Sequence, residues 1–419
     1  MNIVVITDDF YPKIGGISNV LFNLYNNFLK TKHNLFIFNP FFNGENAFKI
    51  IKLKKFSSKD LKTFIKNKQF YQFLFISLWN IIQARNIKFS HRIKMIIYLL
   101  LRPKEFLKII ENIIILKPIL NKLDFQLIVG GHSGWILPLV FILSRIFNRR
   151  MISIAYGNDF LISNPLSFKT YYFKTTEKII VISQEMRRII KRMHHLDDKQ
   201  LEIINVGINL EDYEIKETKE ELRKEFGIPL DIFVLLSVGR HVPRKKFDLV
   251  IRAVHAIKQS GSSLNLKYYL VGEGKQTSDL KKLVKDLSLE NEVKFLGTCS
   301  IEKRNKFFKL SDLFLMPSVT EKDNIEGFGI VFLEANYFKV PVIGSATGGV
   351  VDAIINGKTG FLVIPNNLED LIEKILLLYN NEPLRIQMGE FGYERVVNHF
   401  SWEKIVKDYI KLFHKILNS

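Results

Sequence analysis

Residues 231–274 read DIFVLLSVGRHVPRKKFDLVIRAVHAIKQSGSSLNLKYYLVGEG. The run 232–238 is apolar apart from Ser237, without alternation, and ends at Gly239, the pattern of a strand buried on both faces. Positions 247–259 are apolar at helical spacing, and LKYYLVGEG (266–274) is a second strand that ends in a glycine-bearing loop. A strand, a helix and a strand in succession imply a parallel sheet covered by helices. The pattern continues downstream. DLKKLVKDL (279–287) reads as a helix, VKFLG (293–297), DLFLMPS (312–318), VPVIGS (340–345) and TGFLVIP (359–365) as strands, and FGIVFLEANYF (328–338) as helical between two of them.

The same alternation occupies the first half. IVVITDDFYPKIGGISNVLFNLYNNFL (3–29) reads strand, loop, helix, and NLFIFNPF (34–41), FQLIVGGHSG (125–134) and MISIAYGNDF (151–160) read as further strands. KIIVISQEMRRIIKRM (178–193) is a strand then a helix, and LEIINVGI (201–208) is a short strand. The expected fold is therefore α/β, with two doubly wound parallel-sheet domains facing across a cleft. Their expected bounds are 1–207, with an insertion at 43–122, and 208–384. A charged linker, NLEDYEIKETKEELRKEFGIP (209–229), follows the join, and helices in 385–419 cross back to the first domain. Ser401 is the expected cap of the last helix. Ligands of such sheets bind beyond the carboxyl ends of the strands.

Composition narrows the class. A chain of 419 residues with 47% hydrophobic and 25% charged residues exceeds one ordinary core and is not disordered. The single cysteine, Cys299, excludes an intrachain disulfide framework and a cysteine-built zinc site. The opening MNIVVITDDF lacks the pattern of a signal peptide. A spanning helix needs ~20 apolar residues, whereas the uncharged stretch 69–84 contains Gln72, Asn80 and Gln83. The net charge of +19 is concentrated: residues 43–122 hold 17 Lys and Arg against Glu45, Asp60, Glu105 and Glu111. FYQFLFISLWNII (70–82), MIIYLLL (95–101) and IIENIIILKPIL (109–120) interleave with those cations. Such a segment suits an anionic membrane surface, entered by its apolar face. An ordinary helix pair with a solvated basic face has the same composition. A nucleic-acid partner is not expected, since charge alone is only an electrostatic footprint.

Several motifs fail. GEGKQT (272–277) has Thr277 where a dinucleotide fingerprint needs its third glycine, and GKTG (357–360) has Asp352 where a phosphate loop needs its first. Asp8 and Asp9 are adjacent, and no other set of residues suggests a dedicated metal site. His194 and His195 read as the surface end of a basic helix. No G-x-S-x-G elbow is present.

Four segments fall at strand ends. PKIGGISNV (12–20) puts Gly15 and Gly16 between a strand and a helix, where backbone N–H groups approach an anion or simply form a tight turn. VGGHSGW (129–135) puts His132 at a strand end, as a hydrogen-bonding group or a structural one. SVGRHVPRKKFDLVIRA (237–253) carries Arg240 and Lys245, which could converge on a leaving diphosphate. With Arg244 and Lys246 beside them, they could equally be a solvated basic loop. EGFGIVFLE (326–334) spaces Glu326 and Glu334 eight residues apart. In a continuous helix that is a rise of ~12 Å, beyond the ~5–9.5 Å of glycoside hydrolase carboxyl pairs. Two solvated carboxylates on a capped surface helix are the alternative.

Taken together, these segments resemble the retaining glycosyltransferases of family 4, with their two-domain GT-B fold, and in particular bacterial membrane-associated hexosyltransferases. The resemblance spans nearly the whole chain outside 43–122 and is strongest in the second domain. G-R-x-x-P-R-K and E-x7-E are its most specific parts. VGEG (271–274), SATGGVVDAIINGKTGFLV (345–363, with Asp352 for the more usual Glu), Val206-Gly207-Ile208-Asn209 and FSWEKI (400–405) add to it.

The resemblance implies transfer of a hexose from a nucleotide diphosphate sugar, with retention, to a hydroxyl of a glycan or lipid-linked acceptor. Polysaccharide, lipopolysaccharide or glycolipid synthesis would be the setting. It implies that Gly15 and Gly16 serve the donor diphosphate and the acceptor, and that Arg240 and Lys245 serve the diphosphate. Gly272 and the N–H groups of Phe328, Gly329 and Ile330 belong to the same donor site. Glu326 would hold the transferred sugar and Glu334 the ribose diol. His132 is implied as catalytic with Arg240, Lys245 and Glu326. The family's His-Gly-x-Asp stands here as Tyr156-Gly157-Asn158-Asp159, so Tyr156 and Asp159 are acceptor-side candidates. No metal and no cofactor is expected. The expected location is cytoplasmic, peripheral on the inner face of the cytoplasmic membrane. A nucleotide-sugar epimerase or a catalytically silent scaffold is the alternative.

Overall fold

A computed structural model describes residues 1–9, 16–39, 50–52, 75, 79, 93, 96, 103–134, 136–161, 169–261, 264–321 and 324–419. They form two compact units, Met1–Asn205 with Val406–Ser419, and Val206–Ile405. The first holds strands β1 (Asn2–Ile6), β2 (Asn34–Asn39), β3 (Ile50–Lys52), β4 (Leu127–Gly130), β5 (Arg150–Ala155), β6 (Lys178–Val181) and β7 (Leu201–Ile203). Their order is β3-β2-β1-β4-β5-β6-β7, and each neighbouring pair is parallel. The second holds β8 (Phe233–Val238), β9 (Leu266–Val271), β10 (Val293–Gly297), β11 (Leu313–Met316), β12 (Val342–Ser345) and β13 (Gly360–Val363). Their order is β10-β9-β8-β11-β12-β13, again all parallel.

Each sheet is doubly wound, so each has one place where strand order reverses: between β1 and β4, and between β8 and β11. There the crossovers leave in opposite directions and open a crevice at the carboxyl ends. The central strands are almost wholly apolar, Asn2 in β1 and Ser237 in β8 being the exceptions, because helices cover both faces. All of β4, β8 and β11 is buried. The helix Leu137–Ile146 has a buried residue at nearly every position, as expected of a helix inside a layered core.

Four expectations change. The charged stretch 209–229 is folded, not a simple linker. Thr218 and Glu221 form a capping box on the helix Lys219–Glu225. Within that helix Arg223 is buried, with its guanidinium on Asp312 Oδ2 at 2.6 Å, and Asp312 also receives Lys219 and the N–H of Val234, each at 2.6 Å. Charge in this stretch therefore marks specific buried pairing.

The second change concerns 385–405, which belongs to the second unit. The helix Glu382–His399 packs on the helix Ile330–Tyr337. The reason is close approach: a Cβ at Gly389 would lie 2.0 Å from the carbonyl oxygen of Lys339. From Val406 on, the last helix belongs to the first unit, where Phe413 meets Phe28 at 6.2 Å.

The third concerns the insertion. Its apolar run 109–120 lies in the helix Pro103–Leu120, with Ile109, Ile110, Ile113, Leu116 and Leu120 in the core of the first unit. Its apolar face is satisfied by protein and is not offered to lipid. Most of 43–102 lies outside the described residues, although the side chains of Phe75, Trp79 and Ile93 are exposed. No helix among the described residues is long and apolar enough to cross a membrane.

The fourth concerns His194, which is fully buried at the end of the helix Gln184–His194. Its Nε2 donates to the carbonyl of Phe160 at 2.9 Å and its Nδ1 accepts from Thr170 at 2.8 Å. Burial lowers its pKa to about 4 against the opposing effect of the Phe160 bond. The unfolded chain takes up a proton near pH 6.5 that the folded chain refuses until about pH 4. Stability is therefore fully present above pH 6.5 and falls as the pH drops toward 4. Urea unfolding at pH 7 and pH 4.5 should show wild type losing roughly 2 kcal/mol more than His194→Gln; equal losses would contradict this account of the ring.

Candidate functional site

The second unit gathers three cations at the end of β8. Arg240 follows Gly239 and is exposed, while Arg244 and Lys245 lie in a short 3-10 turn, Pro243–Lys245. That turn is tied to the end of β11, because the carbonyl of Arg244 accepts the N–H of Val319 at 2.7 Å. Glu326, on the loop that follows β11, meets them across the reversal point. Its Oε2 accepts Lys245 Nζ at 2.5 Å and also Arg244 Nη1. Lys245 is buried, and its ammonium lies 3.0 Å from Met316 Sδ. Burial alone would raise the Glu326 pKa, but Lys245 and Arg244 outweigh it and hold the carboxyl down to about 2. With Arg240 added, three positive charges face one negative charge, so the loop end carries a net positive field suited to an anion.

Glycines keep this crevice tight. Gly272 has φ +116, and a Cβ there would lie 2.2 Å from the carbonyl oxygen of Gly239. Gly329, at φ +90, turns the chain into the helix Ile330–Tyr337. Glu326 thus stands four residues before the helix and Glu334 inside it, so E-x7-E is not one helical face. Phe328 is buried, and the first N–H groups of the helix have no intrahelical acceptor.

Glu334 is buried too. Tyr213 donates to its Oε1 at 2.6 Å, and Arg304 Nη2 lies 3.4 Å from the same oxygen. Burial first, then the neighbouring Glu334 carboxylate, pushes the Tyr213 hydroxyl far up, so it stays a donor. Burial works against the Arg304 charge, but Glu334 and Tyr213 more than compensate and raise its pKa. Neither E-x7-E carboxylate is a solvated surface group.

In the first unit, Asp8 follows β1 and His132 follows β4, across the other reversal point. His132 Nδ1 accepts the N–H of Gly134 at 2.9 Å. The ring proton is thereby assigned to Nε2, which is bonded to Asp8 Oδ1. A Cβ on Gly134 would sit 2.6 Å from the ring, so glycine makes this stacking possible. Both ring nitrogens are engaged within the chain, one by Asp8 and the other by the N–H of Gly134. Asp159 receives the N–H groups of Tyr156, Gly157 and Ser133 at 2.9, 2.8 and 2.8 Å. Its carboxylate is a clamp between the loops after β4 and β5. Tyr156 is buried and its hydroxyl makes no hydrogen bond among the described residues. Burial first, then Tyr409 and the carboxylates of Asp159 and Asp9, holds its pKa well above the ordinary phenol value. Gly16 opens the helix Gly16–Leu29 with no atom of the described residues within 4 Å of a Cβ position, and Gly15 lies outside the described residues.

The structure thus brings Lys245 to Glu326 and His132 to Asp8. Sequence reasoning passed over Arg244, Arg304, Tyr213 and Asp8. Arg244 was legible only as one of three adjacent cations. Asp8 showed as half of a doublet, and nothing in the order of residues tied Arg304 or Tyr213 to Glu334. No group of three or more metal-ligating side chains occurs among the described residues.

Comparison with known proteins gives consistent findings. Residues 218–395 match the family described as Glycosyl transferases group 1. The chain is 30% identical over 292 residues to the uncharacterized glycosyltransferase MJ1178 of Methanocaldococcus jannaschii, covering 68% of this chain and 75% of that protein. It is 29% identical over 272 residues to N-acetyl-alpha-D-glucosaminyl L-malate synthase of Bacillus anthracis, covering 64% and 68%. Among solved structures, Anabaena Alr3699/HepE in complex with UDP-glucose is similar at a TM-score of 0.67 and 17% identity, over 99% of this chain and 100% of that one.

Replacing Glu326 by Ala should leave Lys245 buried without its counter-charge. A loss of roughly 3 kcal/mol is expected from breaking a buried pair. Chemical denaturation at pH 7 checks it, and a change below the experimental error would mean that Lys245 finds another partner.

Proposed function

Because the chain belongs to the Glycosyl transferases group 1 family and has the GT-B fold, we propose that it is a retaining hexosyltransferase that uses a nucleotide diphosphate sugar. The acceptor in this reading is a hydroxyl of a glycan or lipid-linked molecule at the inner face of the cytoplasmic membrane. One observation carries the donor half: Glu326 bonded to Lys245 and Arg244 at the reversal point of the second sheet. Lys245 has three ammonium protons. Glu326 and Met316 engage two of them, and the third suits a phosphate oxygen. Arg240 adds a second, exposed charge on the same loop. Negative charge builds on the diphosphate as the sugar leaves, and these fixed cations stabilise it. Glu326, anchored and ionised, holds a sugar hydroxyl. In a front-face displacement the C1–oxygen bond to the phosphate breaks as the acceptor oxygen bonds C1. The acceptor's proton passes to the departing phosphate oxygen.

Arg240, Arg244 and Lys245 supply the charge a metal would otherwise bring, which favours a metal-independent reaction. The binding of UDP-glucose by HepE is in keeping with a nucleotide sugar as donor. On the acceptor side, Asp8 oriented by His132 is the group at the first reversal point. A silent scaffold is disfavoured because burying Glu326 with Lys245 costs desolvation that a scaffold has no need to meet. The membrane half of the reading rests on the basic stretch 43–102 and on the exposed Phe75 and Trp79, whose rings stack at 5.7 Å.

Two measurements test these halves. Titration calorimetry with UDP, GDP, ADP and dTDP, with and without EDTA, should find one nucleotide bound selectively, unaffected by EDTA and weakened in Glu334→Ala. Folded protein that binds none of them would sink the transferase reading. Sedimentation with phosphatidylglycerol vesicles at low salt should pull down wild type but much less of a Phe75→Ser, Trp79→Ser double variant, with little binding to phosphatidylcholine. Equal binding by both proteins would remove these two rings from any membrane contact.

A further inference from the structure

A cleft of about 420 Å³ opens to solvent on the second unit, at the edge of the sheet opposite Lys245 and Glu326. The helices Ile301–Leu310 and Ile330–Tyr337 run from the carboxyl ends of β10 and β11 to the amino ends of β11 and β12. Lys309 and Tyr337, at their far ends, therefore bring the cleft to the amino-end edge. Its volume is that of a small-molecule site, ~300–1,000 Å³. Tyr213, Tyr337 and Tyr393 supply its rings. The Tyr337 ring lies 5.6 Å from that of Tyr213 and 5.7 Å from that of Tyr393, tilted by 56° and 49°. The Tyr213 hydroxyl is engaged by Glu334. Tyr337 and Tyr393 are only half-buried, and their hydroxyls make no hydrogen bond among the described residues. Burial, then Tyr393 and the carboxylate of Glu214, raises the Tyr337 pKa, so its hydroxyl keeps a proton to donate.

Three lysines rim the same cleft against one carboxylate, Glu214. Lys309 Nζ donates to the carbonyl of Ile215 at 2.7 Å. Lys339 Nζ donates to Glu390 at 2.8 Å and lies 5.4 Å from the centre of the Tyr393 ring. An ammonium group has three protons, so both retain donors. Cations near helix C-termini complement the dipole, which accounts for Lys309 and Lys339. It does not account for Lys216, which lies between the turn Leu210–Tyr213 and the helix Lys219–Glu225. Lys216 is exposed and forms no ion pair with the described residues.

The faces of tilted rings offer apolar contact to C–H groups but leave no parallel pair to sandwich a flat aromatic ligand. The phenol hydroxyls and ammonium groups around those faces donate to hydroxyls and to an anion. A saturated, hydroxylated ring that carries a negative group meets all three demands. We propose that this cleft is a second binding site, separate from the crevice at the carboxyl ends, for an acidic sugar: a hexose ring bearing a carboxylate or a phosphate. A free sugar acid and an acidic residue within a glycan chain share that chemistry. Tyr337 and Tyr393 hold the ring, and Lys216 with Lys339 holds the anionic group.

Titration calorimetry and saturation-transfer NMR on the full chain test this. The probes are galacturonic acid, its linear trimer and glucose 6-phosphate, with galactose, benzoate and inorganic phosphate as controls. Wild type should bind the acidic sugars about tenfold or more tighter than galactose, with saturation reaching their ring protons. A trimer bound tighter than the monomer identifies a glycan chain as the occupant, and equal affinities identify a free sugar acid. Lys216→Gln and Tyr393→Ser should each weaken binding by about fivefold or more. If Tyr393→Ser does not fold by circular dichroism, Lys216→Gln, which alters an exposed side chain, decides. The inference is overturned if no acidic sugar binds, or if benzoate or phosphate binds as tightly as the sugars. Affinity within about twofold of wild type in the folded variants overturns it as well, since the sugar then binds elsewhere. None of these failures touches the nucleotide titrations above, which report on the other edge of the sheet.

Discussion

A carboxylate buried beside the end of a parallel sheet stays ionised only if fixed cations meet it. Glu326 has two, Lys245 and Arg244, and the way they reach it organises the second unit. The cations come from the loop after β8 and the carboxylate from the loop after β11. These strands are neighbours in the sheet although well separated in sequence. The pairing therefore exists only because the strand order reverses there. It holds one loop against the other, and the resulting excess of positive charge lies at the carboxyl ends of the strands.

The first unit repeats the arrangement with different chemistry. At the β1–β4 reversal point, Asp8 and His132 replace the carboxylate and its cations. The loops around them are set by Asp159, whose three backbone N–H bonds join the end of β4 to the end of β5. One unit thus carries a cluster of cations around a buried carboxylate, and the other a carboxylate bonded to an imidazole.

One run of the basic insertion shows that composition alone does not separate a core helix from an interfacial one. Runs of isoleucine and leucine flanked by lysine suit a lipid interface, yet 109–120 packs into the core. Core and interfacial helices share one periodicity, because both bury a single face.

Strand and helix positions, the two-unit plan, the strand-end location of Arg240, Lys245 and Glu326 and the helical location of Glu334 are all legible in the chain. The physical reason is local: apolar runs, helical spacing and glycine-bearing turns are properties of neighbouring residues. The G-R-x-x-P-R-K and E-x7-E segments are likewise contiguous, so their resemblance to a sugar-transferring family could be read directly. What only the tertiary structure decided is which side chains meet. Tyr213, Arg304 and Glu334 come from three separate segments, as do Asp8 and His132 from two. Their protonation and hydrogen bonding depend on burial and on partners brought together by strand order, and that information is carried by the fold as a whole.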